Sequence, residues 1–426
     1  MKYINGKTLT SGAFLVGSFS VLYFAVPSLT SVTYDSVTNT PTPIIAPVKK
    51  IAQEEKNTEP EFIVTHIQTP KAVKGIYMTA CVAATPSFRK KLVALVKETE
   101  LNSIVIDIKD YSGTISFKTD NPELKEIKGK GCRTSDMKEF IGMLHENQIY
   151  TIGRITVFQD PYYTKKYPNL AVKKNSDKTV VWKDYKGISF IDAGARDFWS
   201  YIASLSKEAY SIGFDEINYD YIRFPSDGNM RDIYYPFSED KIIADPDFGK
   251  AKVIQSFARY INNAMSDTGA VLSADLFGYT TTNKDDLGIG QVMERILPYF
   301  DYIMPMVYPS HYNSGFLGIA KPANKPYRVV NYSMNSAVKR TKELKNSINT
   351  TSTTTKAVYL RSLANSGNKN ISTSQLRPWL QDFNLGAVYT PQMVRTQIQA
   401  TYDAGLTSWI LWDAANTYTR EALLTK

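Results

Sequence analysis

The run FDEINYDYIRFP (214–225) sets three carboxylates and one guanidinium into an otherwise aromatic and β-branched segment. Period-two alternation predicts a strand with Glu216, Asn218, Asp220 and Ile222 on one face and Tyr219, Tyr221 and Arg223 on the other. An Asp inside such a strand costs free energy unless it is paired or used. A second acid of this kind, Asp275, lies in the next predicted strand, VLSADLFGY (271–279). Two carboxyls on neighbouring strands are the equipment for breaking a glycosidic bond. One protonates the leaving oxygen; the other attacks, stabilises or activates water. Their separation sets the outcome: about 5–5.5 Å for retention, about 6.5–9.5 Å for inversion. Asp220 is expected to be the nucleophile or stabiliser, Asp275 the proton donor.

Other polar groups sit near the ends of further predicted strands. Asp107 and Lys109 share one face of 103–110, and Arg154 lies within 150–158. Arg223 follows Asp220, the strand 302–310 gives Tyr308 and then His311 just past it, and Trp379, Gln381 and Trp412 come from the last two strands. Indole and phenol faces stack on pyranose rings, while cationic groups keep a carboxylate ionised or take an anionic substituent. Asp107, Lys109, Arg154, Arg223, Tyr308, Trp379, Gln381 and Trp412 are therefore the substrate-binding candidates. Each also has a plainer role open to it. Asp107 with Lys109 can be an interior ion pair, Asp275 a structural acid, Trp379 and Trp412 core filling, and Asp382 and Asp413 turn caps. His311 reads as a pocket hydrogen-bonder. No His/Cys cluster has metal spacing, no Ser sits in a nucleophile elbow, and no glycine loop is built for phosphate. Neither metal nor cofactor is expected.

These side chains need a scaffold that gathers strand ends. From residue 75 the chain alternates short apolar strands with longer amphipathic segments. The strands read as 75–83, 103–110, 150–158, 216–225, 271–279, 302–310, 375–383 and 408–414. Between them SFRKKLVALVKETE, ARDFWSYIASLSKEAYSIG, QVMERILPYF and similar stretches carry helical spacing. The pattern predicts an α/β fold, a (β/α)8 TIM barrel, in which every strand's C-terminus opens on one rim. A doubly wound sheet is the competitor, but the glycine turn after its first strand is missing. The stretches 111–133, 159–194 and 226–246 would decorate the rim, and the Thr-rich insertion 351–370 is expected to contain a small extra strand.

Ahead of the barrel, Lys2 and Lys7 precede an uncharged stretch, Thr8 to Val32. This predicts a secretory signal or membrane anchor at 1–32, with the bulk of the chain extracytoplasmic. Residues 33–70, rich in Pro, Thr, Lys and Glu, read as a tether, and 71–426 as the barrel domain. The 426 residues, 43% hydrophobic and 21% charged, are globular rather than disordered. A net charge of +9 suits anionic surroundings such as a wall polymer or a membrane surface, and its scatter argues against nucleic acid. A glycan is the expected partner, with the membrane reached through the N-terminal segment; the oligomeric state leaves no signal. Cys81 and Cys132 match no zinc pattern, and both a disulfide and two separate thiols fit.

Taken together, KGIYMTA, SIVIDIKDYSG, GRITVFQD, FDEINYDYIRFPSDG, SADLFGYTT, DYIMPMVYPSHY, RPWLQDF and GLTSWILWDAANTY resemble a bacterial family of glycosyl hydrolase domains of unknown function. The resemblance spans about 75–420 and implies a TIM barrel acting on glycans, often secreted or membrane-anchored. A more distant likeness is to chitinase-type barrels, whose fourth strand reads D-x-x-D-x-D-x-E. In that register stand Asp215, Asn218, Asp220 and Ile222, so the family's acid has become Ile222 and the donor must come from elsewhere. A glycoside hydrolase of cell-envelope or extracellular polysaccharide is one expectation; a barrel that binds glycan without cleaving it is the other.

Overall fold

The computed structural model describes residues 62–426 apart from 128, 351–352 and 365–369. Eight parallel strands close a barrel in sequence order: β1 (Lys74–Met78), β2 (Ser103–Lys109), β3 (Tyr150–Thr156), β4 (Glu216–Asp220), β5 (Val271–Phe277), β6 (Tyr302–Met306), β7 (Trp379–Gln381) and β8 (Trp409–Trp412). The expected TIM barrel is present. Apolar residues on the outer face of the strands, such as Ile104, Ile106 and Ile108, pack beneath the helices in one continuous core. The helix Arg196–Ser211 shows how this works, burying Phe198, Trp199, Ile202, Leu205 and Ala209 along one stripe. Inside the barrel a smaller cluster, including Val105, Ile152, Met304 and Ile410, fills the cylinder.

Several strands are shorter than expected, each for a local reason. β1 stops at Met78 because Thr79 caps a short helix, Ala80–Ala83, its hydroxyl accepting from the Val82 N–H. β7 keeps only three residues, because Pro378 offers no N–H and its pairing with β6 shrinks to Met306 opposite Trp379. QVMERILPYF forms one α-turn, Met293–Ile296, and then a 3-10 turn, with Pro298 barring a longer helix. The expected extra strand in 351–370 is instead the helix Thr355–Ala364, which buries Ala357, Leu360 and Leu363 at three-residue spacing.

Two further differences concern connections. Cys81 and Cys132 form a disulfide that ties the turn after β1 to the loop after β2. Residues 62–70, expected in the tether, lie against the barrel's N-terminal end. There the Ile67 N–H donates to Asp215 Oδ1 at 2.8 Å, Thr69 bonds the Tyr150 hydroxyl at 3.0 Å, and His66 stacks on Tyr210 with ring centroids 4.1 Å apart. The expected signal or anchor, and the rest of the tether, fall outside the described residues. Among the described residues no helix is long and apolar enough to cross a membrane.

Candidate active site

Arg154, on β3, organises the C-terminal mouth of the barrel. Its Nη1 donates to Asp107 Oδ1 on β2 at 2.6 Å, and its Nε donates to Asp220 Oδ2 on β4 at 3.1 Å, with Nη2 bonding the same oxygen. The Nε also stands 3.8 Å from Asp275 Oδ2 on β5. These two contacts through one nitrogen, 3.1 and 3.8 Å, keep the Asp220 and Asp275 oxygens within about 7 Å of each other. Burial opposes the Arg154 charge, but Asp220, Asp107 and Asp275 more than offset it and hold its pKa well above the usual value. One guanidinium thus faces three carboxylates.

The two acids nearest the chemistry are held differently. Asp220 is anchored as an acceptor on both oxygens, Oδ2 from Arg154 and Oδ1 from the Tyr221 N–H at 2.6 Å. Asp275 Oδ1 accepts the Trp379 indole N–H at 2.7 Å and an Asn218 amide N–H at 2.9 Å. Those two donors occupy Oδ1, so a proton on Asp275 belongs on Oδ2. Burial, and next the negative Asp220, push the Asp275 carboxyl well above the usual carboxylate range; Arg154, Trp379 and Asn218 only partly counter this. Asp107 is also pushed up by its burial, while its Oδ2 accepts from the Tyr77 hydroxyl.

Above these groups opens a cavity of about 360 Å³. Asp220, Asp275, Arg154 and Trp379 line it, Tyr308 and Trp412 add aromatic surface, and Phe277, Leu287, Ile289 and Met306 add apolar wall. Trp412 stacks on Tyr77 at 3.9 Å and meets Trp379 edge-on at 5.5 Å. An apolar cavity with a few convergent polar groups is the ordinary form of a small-ligand or sugar site.

The expected alternation of 214–225 fails after Asp220. Tyr221 adopts a left-handed backbone, φ 52°, a strained conformation for a bulky residue. The chain turns there, so Tyr221 and Arg223 line the cavity beside Asp220, while Ile222 is buried in the outer core. The position that carries the acid in chitinase-type strands therefore points away from the cavity. Leu287, also in the lining, has φ 56°.

A family model described as "Putative glycosyl hydrolase domain" matches residues 75–418. The chain belongs to that family. No match to it is found among curated proteins. Of solved structures, the glycoside hydrolase domain of PgaB (BpsB) from Bordetella bronchiseptica is 11% identical, with a TM-score of 0.52 and coverage of 80% of this chain and 94% of that one. This is a likeness of fold. A hypothetical protein from Ruminiclostridium thermocellum is 30% identical over 47% of this chain and 96% of its own, with a TM-score of 0.41. A chitinase from Pseudoalteromonas aurantia is 10% identical, covering 80% of this chain and 94% of that one, with a TM-score of 0.43.

In this glycosyl hydrolase family member, Asp220, Asp275, Arg154, Arg223, Tyr308, Trp379 and Trp412 converge on the cavity, as does His311. Asp107 stands behind it, joined through Arg154. Lys109 does not converge. The register between β2 and β3 shifts from Asp107–Arg154 to Lys109–Ile155, a bulge that places Lys109 off the Asp107 face. Lys109 pairs instead with Asp160 at 2.8 Å, both fully buried. Gln381 is fully buried too, accepting from the Ser310 N–H at 3.1 Å and donating to the Phe383 carbonyl at 2.9 Å. Asp382 and Asp413 hold turn backbone at Thr419 and at Ala415 and Thr417. Of two residues that support the acids, Asn218 was placed on the Asp220 face from sequence but given no role, and Tyr77 was not singled out. Asn218 had a usable signal, two positions before Asp220 on the same face; Tyr77 had none beyond its place near the end of β1.

Proposed function

We propose that this chain is a glycoside hydrolase acting on a cell-envelope or extracellular polysaccharide through two carboxylates. The observation that carries this reading is the Asp220–Arg154–Asp275 arrangement beneath an open cavity. Asp275, with its pKa raised and its proton on Oδ2, is the general acid for the leaving oxygen. Asp220, fixed by Arg154 and the Tyr221 N–H, is the nucleophile or the stabiliser of the oxocarbenium-like charge. The bound of about 7 Å between one oxygen of each acid brings the pair to the scale on which two-carboxylate glycosidases work, and the retaining and inverting windows both meet it. Trp379, Trp412 and Tyr308 supply ring faces for the sugar. The disulfide and the basic, apolar N-terminus support an extracytoplasmic location.

The full chain, incubated with a panel of wall polysaccharides and exopolysaccharides, is expected to release reducing sugar. Asp220→Asn and Asp275→Asn are each expected to lower kcat/KM by about 10²–10⁴-fold with the fold retained by circular dichroism. Release that survives both substitutions rejects the assignment. A second reading is a barrel that binds glycan without cleaving it, and the paired hydrogen bonds from Arg154 to Asp220 favour it. Retention of a polymer with no release of sugar would select that reading.

A further inference from the structure

Three cationic side chains were candidates to meet an anionic substituent, and the structure disposes of two. Lys109 is sealed against Asp160 away from the cavity. Arg154 is occupied by Asp107 and Asp220, with Asp275 close by. Arg223 differs from both. Among the described residues no carboxylate stands within 4.0 Å of its guanidinium. Its hydrogen bonds go to neutral groups: Nη1 donates to the Phe224 carbonyl at 3.2 Å and to the Ser226 hydroxyl at 3.1 Å. The guanidinium lies over the Tyr221 ring, 4.8 Å from its centroid, which holds it beside the cavity, and its five N–H donors outnumber these contacts, leaving donors for a ligand. Arg223 and Ser226 both line the cavity, and the left-handed Tyr221 is what brings Arg223 there.

We infer that the cavity takes a sugar bearing an anionic substituent, a carboxylate or a phosphate, and that Arg223 binds that substituent with Ser226 beside it. A planar guanidinium with free donors suits a two-oxygen acceptor, and its partial burial strengthens the bond. The chain's net charge of +9 favours the approach of such a polymer. This inference rests on the glycan reading of the same cavity and names the class of glycan.

The test uses the full-length Asp275→Asn protein, in which turnover is suppressed. Affinity electrophoresis is run in gels holding each polymer of the panel, untreated, after carboxyl reduction to the neutral hexose, and after removal of phosphate with hydrofluoric acid. The polymer retained most strongly is expected to lose about 10- to 100-fold in affinity on one of the two treatments. Loss on reduction identifies a carboxylate, and loss on dephosphorylation identifies a phosphate. Adding Arg223→Gln should collapse the ratio of untreated to treated affinity towards one, and Arg223→Lys should restore part of it. The preference should also shrink as salt rises. Equal affinity before and after both treatments, a ratio unchanged in Arg223→Gln, or no retention of any polymer overturns the inference. Reducing-sugar release by the wild-type chain is read separately. Release without acidic preference leaves the hydrolase and removes the role of Arg223; acidic preference without release does the reverse.

Discussion

β4 carries two inward-facing acids, Glu216 and Asp220, with opposite fates. At the lower end Glu216 meets Arg377 one to one, with Nη1 at 2.8 and 3.0 Å from its two oxygens, and both residues are fully buried. Tyr150 donates to the same carboxylate at 3.1 Å. At the upper end Asp220 shares Arg154 with Asp107 and Asp275, beneath a cavity. The lower pair is balanced in charge, one carboxylate to one guanidinium. The upper group has more carboxylates than cations, and a buried site resolves that excess by holding protons, Asp275 above all. Balance makes a brace; imbalance makes an acid.

The largest effect that can break this contrast is on stability. Arg377→Met leaves Glu216 buried and uncompensated, and is expected to cost about 3–5 kcal/mol in chemical denaturation. A loss below about 1 kcal/mol would show that the lower pair is not a brace. The next effect is a dependence on pH. The folded chain binds a proton on Asp275 more readily than the unfolded chain does. Protonation therefore stabilises the fold, fully so below the ordinary carboxylate pKa of about 3.9, and the contribution is lost as pH rises through the raised value. Melting curves of wild type and Asp275→Asn should diverge as pH rises through that window, with the wild type losing ground. Curves that stay parallel would remove the imbalance. The smallest effect is local. Tyr221→Gly relieves the left-handed backbone but removes the ring beneath Arg223, so relief and lost packing oppose each other; the expected change in stability is below about 2 kcal/mol, with weaker glycan retention through displacement of Arg223. Glycan retention unchanged by Tyr221→Gly would mean that the turn does not position the mouth.

The framework was legible because alternation and helical spacing are properties of composition along the chain. Eight strands, their order and the inward face of β4 all follow from that periodicity. The departures come from single residues whose effect is geometric. A bulge between Asp107 and Lys109 redirected one candidate, and a positive φ at Tyr221 swung Arg223 from the far face into the cavity. Neither residue type announces such a backbone. The strip 62–70 escaped because its contacts, Ile67 with Asp215 and Thr69 with Tyr150, are with residues distant in sequence. Asp220 and Asp275 were visible as acids out of keeping with their strands, whereas the supporting roles of Asn218 and Tyr77, which depend on contacts across strands, were not.

Carbon-13 NMR titration of the Asp275 side-chain carboxyl, in wild type and in Asp220→Asn, tests most directly whether the mouth holds an unbalanced charge. Asp275 should titrate well above the ordinary carboxylate range in wild type and shift downward once the Asp220 charge is gone and Arg154 is freed towards it. An Asp275 that titrates as an ordinary carboxylate in wild type, or does not move in Asp220→Asn, would contradict the coupling on which its role as proton donor stands.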